Sequence, residues 1–554
     1  MATSNAPTMV EQRREQMFPT LSSEHFARLS RFGEARSFPA GATITKAGEV
    51  FPGLLLITKG QVEVSQTDLN GDKEVIVTHG QGSFMGELAQ LSGQPSLVTV
   101  VALKAVDAVE IPSRRLRDLF VQEAVLGEQI MRALILRRVG LIATGNAGPI
   151  IVGRADDGNV LNLVGFLTRN GHPHRQIDPE TDTSGATLLE RFHVAPEQLP
   201  IVLCPNGVLL RNPSEGDLAR CLGLVKPINA DKLYDVAIIG AGPAGLAAAV
   251  YAGSEGLTPL VLDCRSFGGQ AGASSRIENY LGFPTGISGM ALMARAYNQA
   301  QKFGADMAIP DEAVALHCDF SPHQFRITLA NGEEARARSV VIASGAQYRR
   351  LDVDNLSDFE GTSVHYWASS AERVLCTEQE VVLVGGGNSA GQAAVYLAEK
   401  VKKLWLIVRR DLAETMSKYL IERITGMGNI EVVTQSSIVR LRGEKDALES
   451  VCWRNIKTGA ETERPIRHLF SFIGAAPNTE WLRPSGITLD EKGFIRTGAD
   501  VAPARGLLET SRDGVFAIGD VRCGSIKRVA SSVGEGAQVV AVLHKYLAQA
   551  ERSN

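Results

Sequence analysis

The stretch Val236–Gly245, VAIIGAGPAG, decides the fold of the C-terminal half of this chain. Its first four residues are apolar and predict a buried parallel strand. The glycines Gly240, Gly242 and Gly245 follow at dinucleotide-binding spacing and open an apolar helix, with Pro243 and Ala244 between them. Glycines there let the backbone approach a pyrophosphate at the helix N-terminus. The stretch therefore predicts a Rossmann-like nucleotide-binding unit.

A second copy lies about 140 residues further along. The run Val381–Val384 predicts another buried strand, and a second glycine turn follows it. That turn contains Gly385, Gly387, Asn388, Ser389 and Ala390. Two such turns in one chain predict two dinucleotide sites.

Bulk properties exclude several classes of protein. A chain of 554 residues is long enough for several domains, and we expect four units. The net charge of −4 gives no sign of a basic nucleic-acid surface. No signal core and no apolar run of membrane-spanning length is present, which favours a cytoplasmic protein without membrane contact. The seven cysteines are scattered and include no C-x-x-C, which argues against a disulfide framework or a structural zinc site.

Residues 20–110 contain short apolar runs separated by turn signals such as Gly60 and Asn70-Gly71, which predict a compact N-terminal β-roll. The segments Gly82–Ala89 and Gly93–Thr99 resemble the phosphate-binding cassette of cyclic nucleotide-binding domains. Glu87 matches the glutamate that binds the ribose in that family, but Ser96 replaces the arginine that binds the cyclic phosphate. A lost charge-assisted contact is worth roughly 1.5–3 kcal/mol. We therefore expect a roll that serves packing or binds another ligand, without cyclic-nucleotide sensing.

Residues 148–225 alternate between strand and helix patterns and resemble the thioredoxin or glutaredoxin fold, with Pro200 at the position of the cis-proline. The sequence Arg154–Gly158 stands where the active-site C-x-x-C of that fold would open the first helix. Without a thiolate there is no nucleophile for disulfide exchange. This small thioredoxin-like α/β domain is predicted to be redox-inactive, a spacer or docking module.

From Tyr234 onward the chain resembles a low-molecular-weight thioredoxin reductase. Asp263 ends a strand about 20 residues after the first glycines, where a carboxylate accepts ribose hydroxyls. The resemblance implies FAD in the first site, with Asp520 at the ribityl chain and the helix starting near Glu535 pointing its N-terminus at the flavin ring. The other residues assigned to FAD on this basis are Gly269, Gln270, Asn279, Gly345, Gly519, Ala537 and Gln538.

The second site is predicted to bind NADPH. Arg409 and Arg410 follow the next apolar strand at the position where an NAD-selective site usually carries an acid. Guanidinium groups suit the 2′-phosphate of NADP. The chain departs from the family at Glu414, where the family often has another arginine.

The family's dithiol is missing. Counting back from Gly385 without gaps places its two cysteines at Ala368 and Ala371, neither of which can accept electrons. His365, Tyr366 and Trp367 occupy the adjoining positions. The two aromatic residues either stack near the flavin and line a substrate cleft or fill volume between domains. His365 either donates a proton or is a structural histidine.

These observations predict a multidomain chain. The expected divisions are a β-roll with a helical tail (1–147), a thioredoxin-like domain (148–226), an FAD domain in two parts (227–348 and 477–554) and an NAD(P)H domain (349–476). The resemblance implies a homodimer whose NADPH domain rotates. The leading hypothesis is an FAD-dependent NADPH oxidoreductase with a small-molecule or protein acceptor. The alternatives are a disulfide reductase that uses a partner's thiols and a redox or nucleotide sensor with little turnover.

Overall fold

A computed structural model describes residues 13–51, 53–67, 73–87, 93–144, 148–225, 227–274, 276–321, 323–368, 370–444 and 447–553. The predicted Asn70-Gly71 turn, the Leu88-Ala89 part of the cassette and the N-terminal segment 1–12 lie outside these ranges. The chain forms two compact units. The first comprises Met1–Ala155, Phe166–Lys226 and Gln301–Asp306, and the second comprises Asp156–Gly165, Pro227–Ala300 and Met307–Asn554.

The N-terminal part of the first unit is a β-roll of two four-stranded sheets. Their strand orders are β1-β8-β3-β6 and β2-β7-β4-β5. The inward side chains of both sheets are apolar, and the longest helix contributes Ile130 and Leu134 to the core. The elements are α1 (Arg14–Met17), α2 (Ser23–Ser30), β1 (Glu34–Phe38), β2 (Thr43–Thr45), β3 (Gly53–Lys59), β4 (Gln61–Thr67), β5 (Lys73–Gly80), β6 (Phe84–Met85), β7 (Thr99–Ala102), β8 (Val106–Pro112), α3 (Ser113–Gln122) and α4 (Ala124–Thr144).

The segment after the roll forms a four-stranded mixed sheet in the order β10-β9-β11-β12. β9 and β10 are parallel, and β11 is antiparallel to both β9 and β12. The Leu199–Pro200 peptide that leads into β11 is cis. The elements are β9 (Ile150–Val152), α5 (Gly158–Arg169), β10 (Arg175–Ile177), α6 (Thr183–Arg191), β11 (Ile201–Leu203), β12 (Leu209–Arg211) and α7 (Glu215–Cys221).

One expectation about the cysteines is wrong. Cys204 and Cys221 form a disulfide across 17 residues of sequence. Cys204 follows β11 and Cys221 ends α7, so the fold brings their Cα atoms within 6.7 Å. Sequence spacing alone does not show such a pairing.

The second unit begins with a five-stranded parallel sheet in the order β16-β15-β14-β20-β31, joined by a mixed sheet in the order β13-β19-β18-β17, in which β13 is parallel to β19 and the other pairs are antiparallel. Its parallel strands are apolar on both faces because helices cover them. The elements up to the first linker are β13 (Leu233–Tyr234), β14 (Val236–Ile239), α8 (Pro243–Ser254), β15 (Pro259–Leu262), α9 (Gly269–Gly272), α10 (Gly289–Lys302), β16 (Asp306–Ala308), β17 (Ala313–Ser321), β18 (Gln324–Leu329), β19 (Glu334–Ala337), β20 (Val340–Ile342) and β21 (Ala346–Tyr348).

A second parallel sheet, in the order β22-β29-β23-β24-β25, is inserted before the first sheet is completed. β21 and β30 pair where the chain leaves and re-enters the first sheet, and β26, β27 and β28 form a separate antiparallel sheet. The remaining elements are β22 (Val364–His365), α11 (Ser370–Leu375), β23 (Glu380–Val384), α12 (Asn388–Ala398), β24 (Lys403–Ile407), α13 (Lys418–Thr425), β25 (Ile430–Val433), β26 (Ser436–Glu444), β27 (Ala447–Asn455), β28 (Glu461–Arg464), β29 (His468–Ser471), β30 (Ala475–Pro477), β31 (Val515–Ala517) and α14 (Val529–Ser553).

The two parallel sheets confirm the predicted Rossmann-like architecture of the C-terminal half. Within the described ranges, no helix is long and apolar enough to cross a membrane.

Candidate cofactor sites

The first glycine turn joins β14 to α8. Gly240 has a φ of +114°, and a Cβ at this position would overlap the Ala343 carbonyl oxygen, so only glycine fits. Gly242 is the N-cap of α8, and the nearest atom to a Cβ there is the Cα of Gly269 at 4.0 Å. The start of α8 is therefore open on one side and offers its backbone to a phosphate group.

Asp263 follows β15 and holds this turn in place. Its carboxylate accepts hydrogen bonds from the backbone N–H groups of Ala241 at 2.9 Å, Arg265 at 3.1 Å and Ser266 at 3.3 Å. Burial raises the pKa of Asp263, and these three hydrogen bonds oppose the shift. A carboxylate has about four acceptor positions. Asp263 can therefore fix the turn and still accept a ribose hydroxyl.

Asp520 lies in the short helical turn after β31 and carries a buried oxygen, Oδ1, that has no partner among the described residues. Burial raises the pKa of Asp520, and the nearby Lys527 lowers it. The backbone N–H of the preceding Gly519 donates to Glu535 at 2.6 Å, which fixes the turn. Buried polar atoms in proteins are almost always hydrogen-bonded. Asp520 thus offers an acceptor to a ligand hydroxyl, which fits the ribityl chain of FAD.

Four other residues were predicted to bind FAD: Gly269, Gln270, Gly345 and Asn279. Gly269 starts α9 beside Gly242, and Gln270 donates from Nε2 to the Ala346 carbonyl oxygen at 2.5 Å. Gly345 has a φ of +67° and open space beside its Cα. Asn279 is exposed on the loop between α9 and α10.

The structure corrects the predicted start of the last helix. It was predicted near Glu535, but α14 begins at Val529. Its free N–H groups therefore belong to the first turn after Arg528, and Ala537 and Gln538 lie inside the helix. Ala537 is half-buried and Gln538 is exposed. Gly536, within this segment, lies where α8 packs closely on α14.

The second glycine turn joins β23 to α12 and repeats the first. Gly385 has a φ of +142°, and a Cβ there would lie 2.6 Å from the Phe472 carbonyl oxygen. Gly387 is the N-cap of α12 and has open space around it, and Ala390 is fully buried one turn later. This turn also presents a helix N-terminus to a phosphate group.

Two hydrogen bonds that hold the second turn involve Thr415 and Ser417, which were not predicted from the sequence. Thr415 donates from Oγ1 to the Gly386 carbonyl oxygen at 2.7 Å. Asn388 accepts from the backbone N–H of Ser417 at 2.7 Å, so its side chain caps the next segment. These contacts join segments that are far apart in sequence, so no local pattern indicates them.

Arg409 and Arg410 are both exposed directly beyond the end of β24. The Nη1 atom of Arg410 lies 3.5 Å from the Glu414 carboxylate, one helical turn later. The two guanidinium groups are thus on the strand-end side where the adenosine ribose of a dinucleotide binds in such folds.

His365 is buried in β22, with 3% of its surface exposed, and its ring stacks on Phe470 with 4.9 Å between centroids. Its Nε2 atom lies 3.2 Å from Nδ1 of His468. Burial lowers the pKa of His365 to about 4. The imidazole is therefore neutral at pH 7, which favours the structural interpretation over a proton donor.

Tyr366 and Trp367 have local hydrogen-bond partners. The Tyr366 hydroxyl donates to Glu360 at 2.5 Å, and its ring packs on the apolar core of the second parallel sheet. Trp367 donates from Nε1 to Glu372 at 2.8 Å, and the Arg265 guanidinium lies 5.8 Å from its ring centroid. Both aromatic residues therefore fill space within the unit.

The thiols of the second unit are not activated. Burial raises the pKa of Cys264 and Cys376 to about 12 and that of Cys318 to about 11. Burial also raises the pKa of Cys452 and Cys523. All five are thus protonated at pH 7. Among the residues described, no group of three or more metal-binding side chains is placed to hold a metal ion.

Comparison with known proteins agrees with this geometry. The family model "Pyridine nucleotide-disulphide oxidoreductase" matches residues 234–536, and the cyclic nucleotide-binding domain model matches residues 35–123. The chain therefore belongs to the pyridine nucleotide-disulphide oxidoreductase family and is an oxidoreductase of the thioredoxin reductase-like kind, with an N-terminal cyclic nucleotide-binding domain. Members of the thioredoxin reductase family use FAD and NADPH.

Relatives and solved structures match the reductase part alone. The thioredoxin reductase of Bacillus subtilis strain 168 is 30% identical over 323 residues, which are 58% of this chain and 98% of that protein. The thioredoxin reductase of Streptomyces coelicolor is 31% identical over 315 residues, 57% of this chain and 94% of that protein. The crystal structure of Lactococcus lactis thioredoxin reductase in the FR conformation is 29% identical with a TM-score of 0.53, and it covers 57% of this chain and 99% of that chain.

Proposed function

We propose that this protein is an FAD-dependent NADPH oxidoreductase that delivers electrons to an acceptor without an internal dithiol. The observation that carries the proposal is the combination of two open dinucleotide turns in one compact unit with a complete lack of C-x-x-C in the sequence. The free thiols of that unit are buried or protonated, so they do not replace the dithiol.

The chain's own residues would hold the cofactors as follows. Gly240 and Gly242 admit the pyrophosphate of FAD at the start of α8, and Asp263 accepts from the ribose. Asp520 Oδ1 accepts from the ribityl chain. FAD, when bound, supplies a ring that accepts a hydride from NADPH and releases electrons singly or in pairs.

The second turn would hold NADPH. Gly385 and Gly387 admit its pyrophosphate, and Arg409 and Arg410 hold its 2′-phosphate. Because His365 is neutral and hydrogen-bonded to His468, a proton needed by the reduced acceptor comes from solvent or from the acceptor's own partner.

The division into domains given above is part of this proposal. The mixed sheet in the order β10-β9-β11-β12 supports the thioredoxin-like assignment of residues 148–226. That domain lacks a C-x-x-C, and its two cysteines are joined to each other, so it would serve as a spacer or docking module. A homodimer follows from the family resemblance.

An anaerobic titration of the purified protein with NADPH and with NADH, followed by flavin absorbance, tests the donor. We expect NADPH to bleach the flavin band at lower concentration than NADH. The proposal fails if neither nucleotide bleaches it.

The acceptor is tested by reoxidising the reduced protein with ferricyanide or with an aromatic disulfide. We expect ferricyanide to react at least about tenfold faster, because no thiolate is present to attack a disulfide. Cys376→Ser is the matched control, since this thiol is nearest to the missing dithiol. Faster reaction with the disulfide, abolished by Cys376→Ser, would refute the direct route.

A further inference from the structure

The β-roll of the first unit encloses a cavity of about 260 Å³. Most of its wall is apolar and includes Phe51, Val64, Val77, Met85 and Val100. Cavities of this kind bind apolar molecules: an engineered cavity of about 150 Å³ accepts benzene. A cavity of the present size has room for two fused rings.

Two buried acceptors in the wall have no hydrogen-bond partner in the described part of the chain. Glu87 is 8% exposed; its Oε1 accepts from the backbone N–H of Leu97 at 3.1 Å, and its Oε2 has no partner. Gln66 is 6% exposed; its Nε2 donates to Glu74 at 2.7 Å, and its Oε1 has no partner. A buried acceptor without a hydrogen-bond partner destabilises the folded protein. A ligand that donates hydrogen bonds to these two oxygen atoms would therefore be stabilised in the cavity.

The Ser96 hydroxyl does not satisfy Glu87. It lies close to that carboxylate, but it donates its only proton to the Val98 carbonyl oxygen at 2.9 Å. Burial raises the pKa of Glu87, which shows how strongly the site disfavours an uncompensated charge.

The cations around the cavity are poorly placed for a phosphate. Arg137, from α4, is 8% exposed and donates to the backbone carbonyl oxygens of Met17 at 2.8 Å, Gly86 at 2.8 Å and Phe84 at 3.3 Å. Three of its five N–H groups are thus already engaged. Arg14 is exposed. An anion entering the cavity would lose its water and share the Arg137 guanidinium with three backbone carbonyl oxygens.

His79 does not add a charge to this wall. Burial lowers its pKa to about 3, so the imidazole is neutral at pH 7. Glu87 Oε2 and Gln66 Oε1 therefore remain as unpaired buried acceptors in a mainly apolar wall, which favours an uncharged ligand that donates hydrogen bonds.

We propose that this cavity binds an uncharged, mainly apolar molecule whose hydroxyl groups donate to Glu87 Oε2 and Gln66 Oε1, and that it does not bind a cyclic nucleotide. The expected ligands are hydroxylated aromatic compounds of about two rings. This inference concerns the first unit and stands independently of the proposed reductase activity.

Four probes test the proposal by titration calorimetry on the full-length FAD-loaded protein. They are 2-naphthol, naphthalene without the donor, 2-naphthyl phosphate with an anion on the same rings, and cyclic AMP. We expect one molecule of 2-naphthol to bind per chain, with naphthalene about tenfold weaker because it cannot pair Glu87. The two phosphates should show no saturable binding at the concentrations that saturate with 2-naphthol.

Three variants test whether 2-naphthol binds in this cavity. In Glu87→Gln the amide oxygen must keep accepting from Leu97, so the amide NH₂ replaces Oε2 and faces the ligand hydroxyl with a donor. We expect about tenfold weaker 2-naphthol binding in this variant. Val64→Phe should abolish binding by filling the cavity, and Glu34→Gln, on the exposed strand β1, should bind like the unmodified protein.

The outcomes that overturn the proposal are distinct. It fails if cyclic AMP binds more tightly than 2-naphthol, if 2-naphthol does not bind, or if its binding survives Glu87→Gln unchanged. Circular dichroism shows whether Val64→Phe folds. If Val64→Phe does not fold, the proposal is tested by comparing the 2-naphthol affinity of Glu87→Gln with that of Glu34→Gln.

Discussion

Nucleotide preference depends on two side chains beyond β24. Replacing both Arg409 and Arg410 with alanine should lower the ratio of kcat/KM for NADPH to that for NADH by roughly tenfold to a hundredfold, because charge-assisted contacts to a phosphate are worth about 1.5–3 kcal/mol. Steady-state kinetics with ferricyanide as acceptor measures the ratio.

Glu414→Ala is the matched control for that experiment. It removes the carboxylate 3.5 Å from Arg410 and leaves both guanidinium groups in place. Since exposed ion pairs contribute about 1 kcal/mol or less, the NADPH preference should stay the same or rise a few-fold. An unchanged ratio in the double arginine variant would contradict the assignment of the 2′-phosphate site.

The buried His365 makes stability depend on pH. Its folded pKa of about 4 lies below the ordinary 6.5, so the unfolded chain takes up the proton first as the pH falls. The contribution of the neutral His365 to the free energy of unfolding is complete above about pH 6.5 and is lost as the pH falls toward 4. At pH 5 the loss is about 2 kcal/mol.

His365→Phe should remove that part of the loss while keeping the ring stack on Phe470. We expect the variant to lose about 2 kcal/mol less stability than the unmodified protein between pH 7 and pH 5. Urea unfolding followed by tryptophan fluorescence measures it, because all four tryptophans lie in the second unit. Equal losses in the two proteins would show that His365 does not titrate in this way.

At the scale of elements, α14 packs on α8. The Gly240 turn precedes α8 and the Asp520 turn precedes α14, so this packing positions both turns of the FAD site. A Cβ at Gly536 would lie 2.6 Å from the Ala244 carbonyl oxygen and 2.7 Å from the Ala247 side chain. Gly536→Ala should therefore push the helices apart, lower the free energy of unfolding by about 1–3 kcal/mol and weaken FAD retention. Thermal unfolding and the flavin content after dialysis measure both effects.

Gly534→Ala is the control within the same helix. A Cβ at Gly534 meets nothing within 4 Å, so alanine should stabilise α14 by up to about 1 kcal/mol through its helix propensity. The packing argument is wrong if both substitutions have the same effect.

The same helix shows what the sequence could predict at this scale. The glycine turns at Gly240 and Gly385 were predicted because their chemistry is local: a strand, a positive φ and a helix start. The start of α14 at Val529 was not, because Gly536 suggests a break in the helix unless its packing against Ala244 and Ala247 is known. The disulfide between Cys204 and Cys221 and the hydrogen bond from Thr415 to the Gly386 carbonyl oxygen likewise depend on tertiary contacts.

For the whole molecule, the two strand–glycine turn–helix motifs and the resemblance to thioredoxin reductases were sufficient to predict the two parallel sheets. The cavity of the β-roll was not predicted, because its wall combines residues of several strands with Arg137 of α4. Sequence comparison with the cassette identified Glu87 and Ser96, but it did not show that Glu87 Oε2 is unpaired or that Arg137 is engaged by carbonyl oxygens.

The division into two units predicts that the first unit is not needed for electron transfer. All residues assigned to FAD and NADPH lie in the second unit, and the first unit contributes none of them. A protein lacking residues 1–225 loses most of the first unit together with Asp156–Gly165 of the second, but none of the residues assigned to the cofactors. It should therefore bind FAD and be reduced by NADPH within about threefold of the full-length rate. Stopped-flow flavin absorbance measures that rate, with circular dichroism as the check of folding. A folded, FAD-loaded fragment that NADPH does not reduce would show that the N-terminal unit takes part in the reaction, and would favour the sensor hypothesis over an autonomous oxidoreductase.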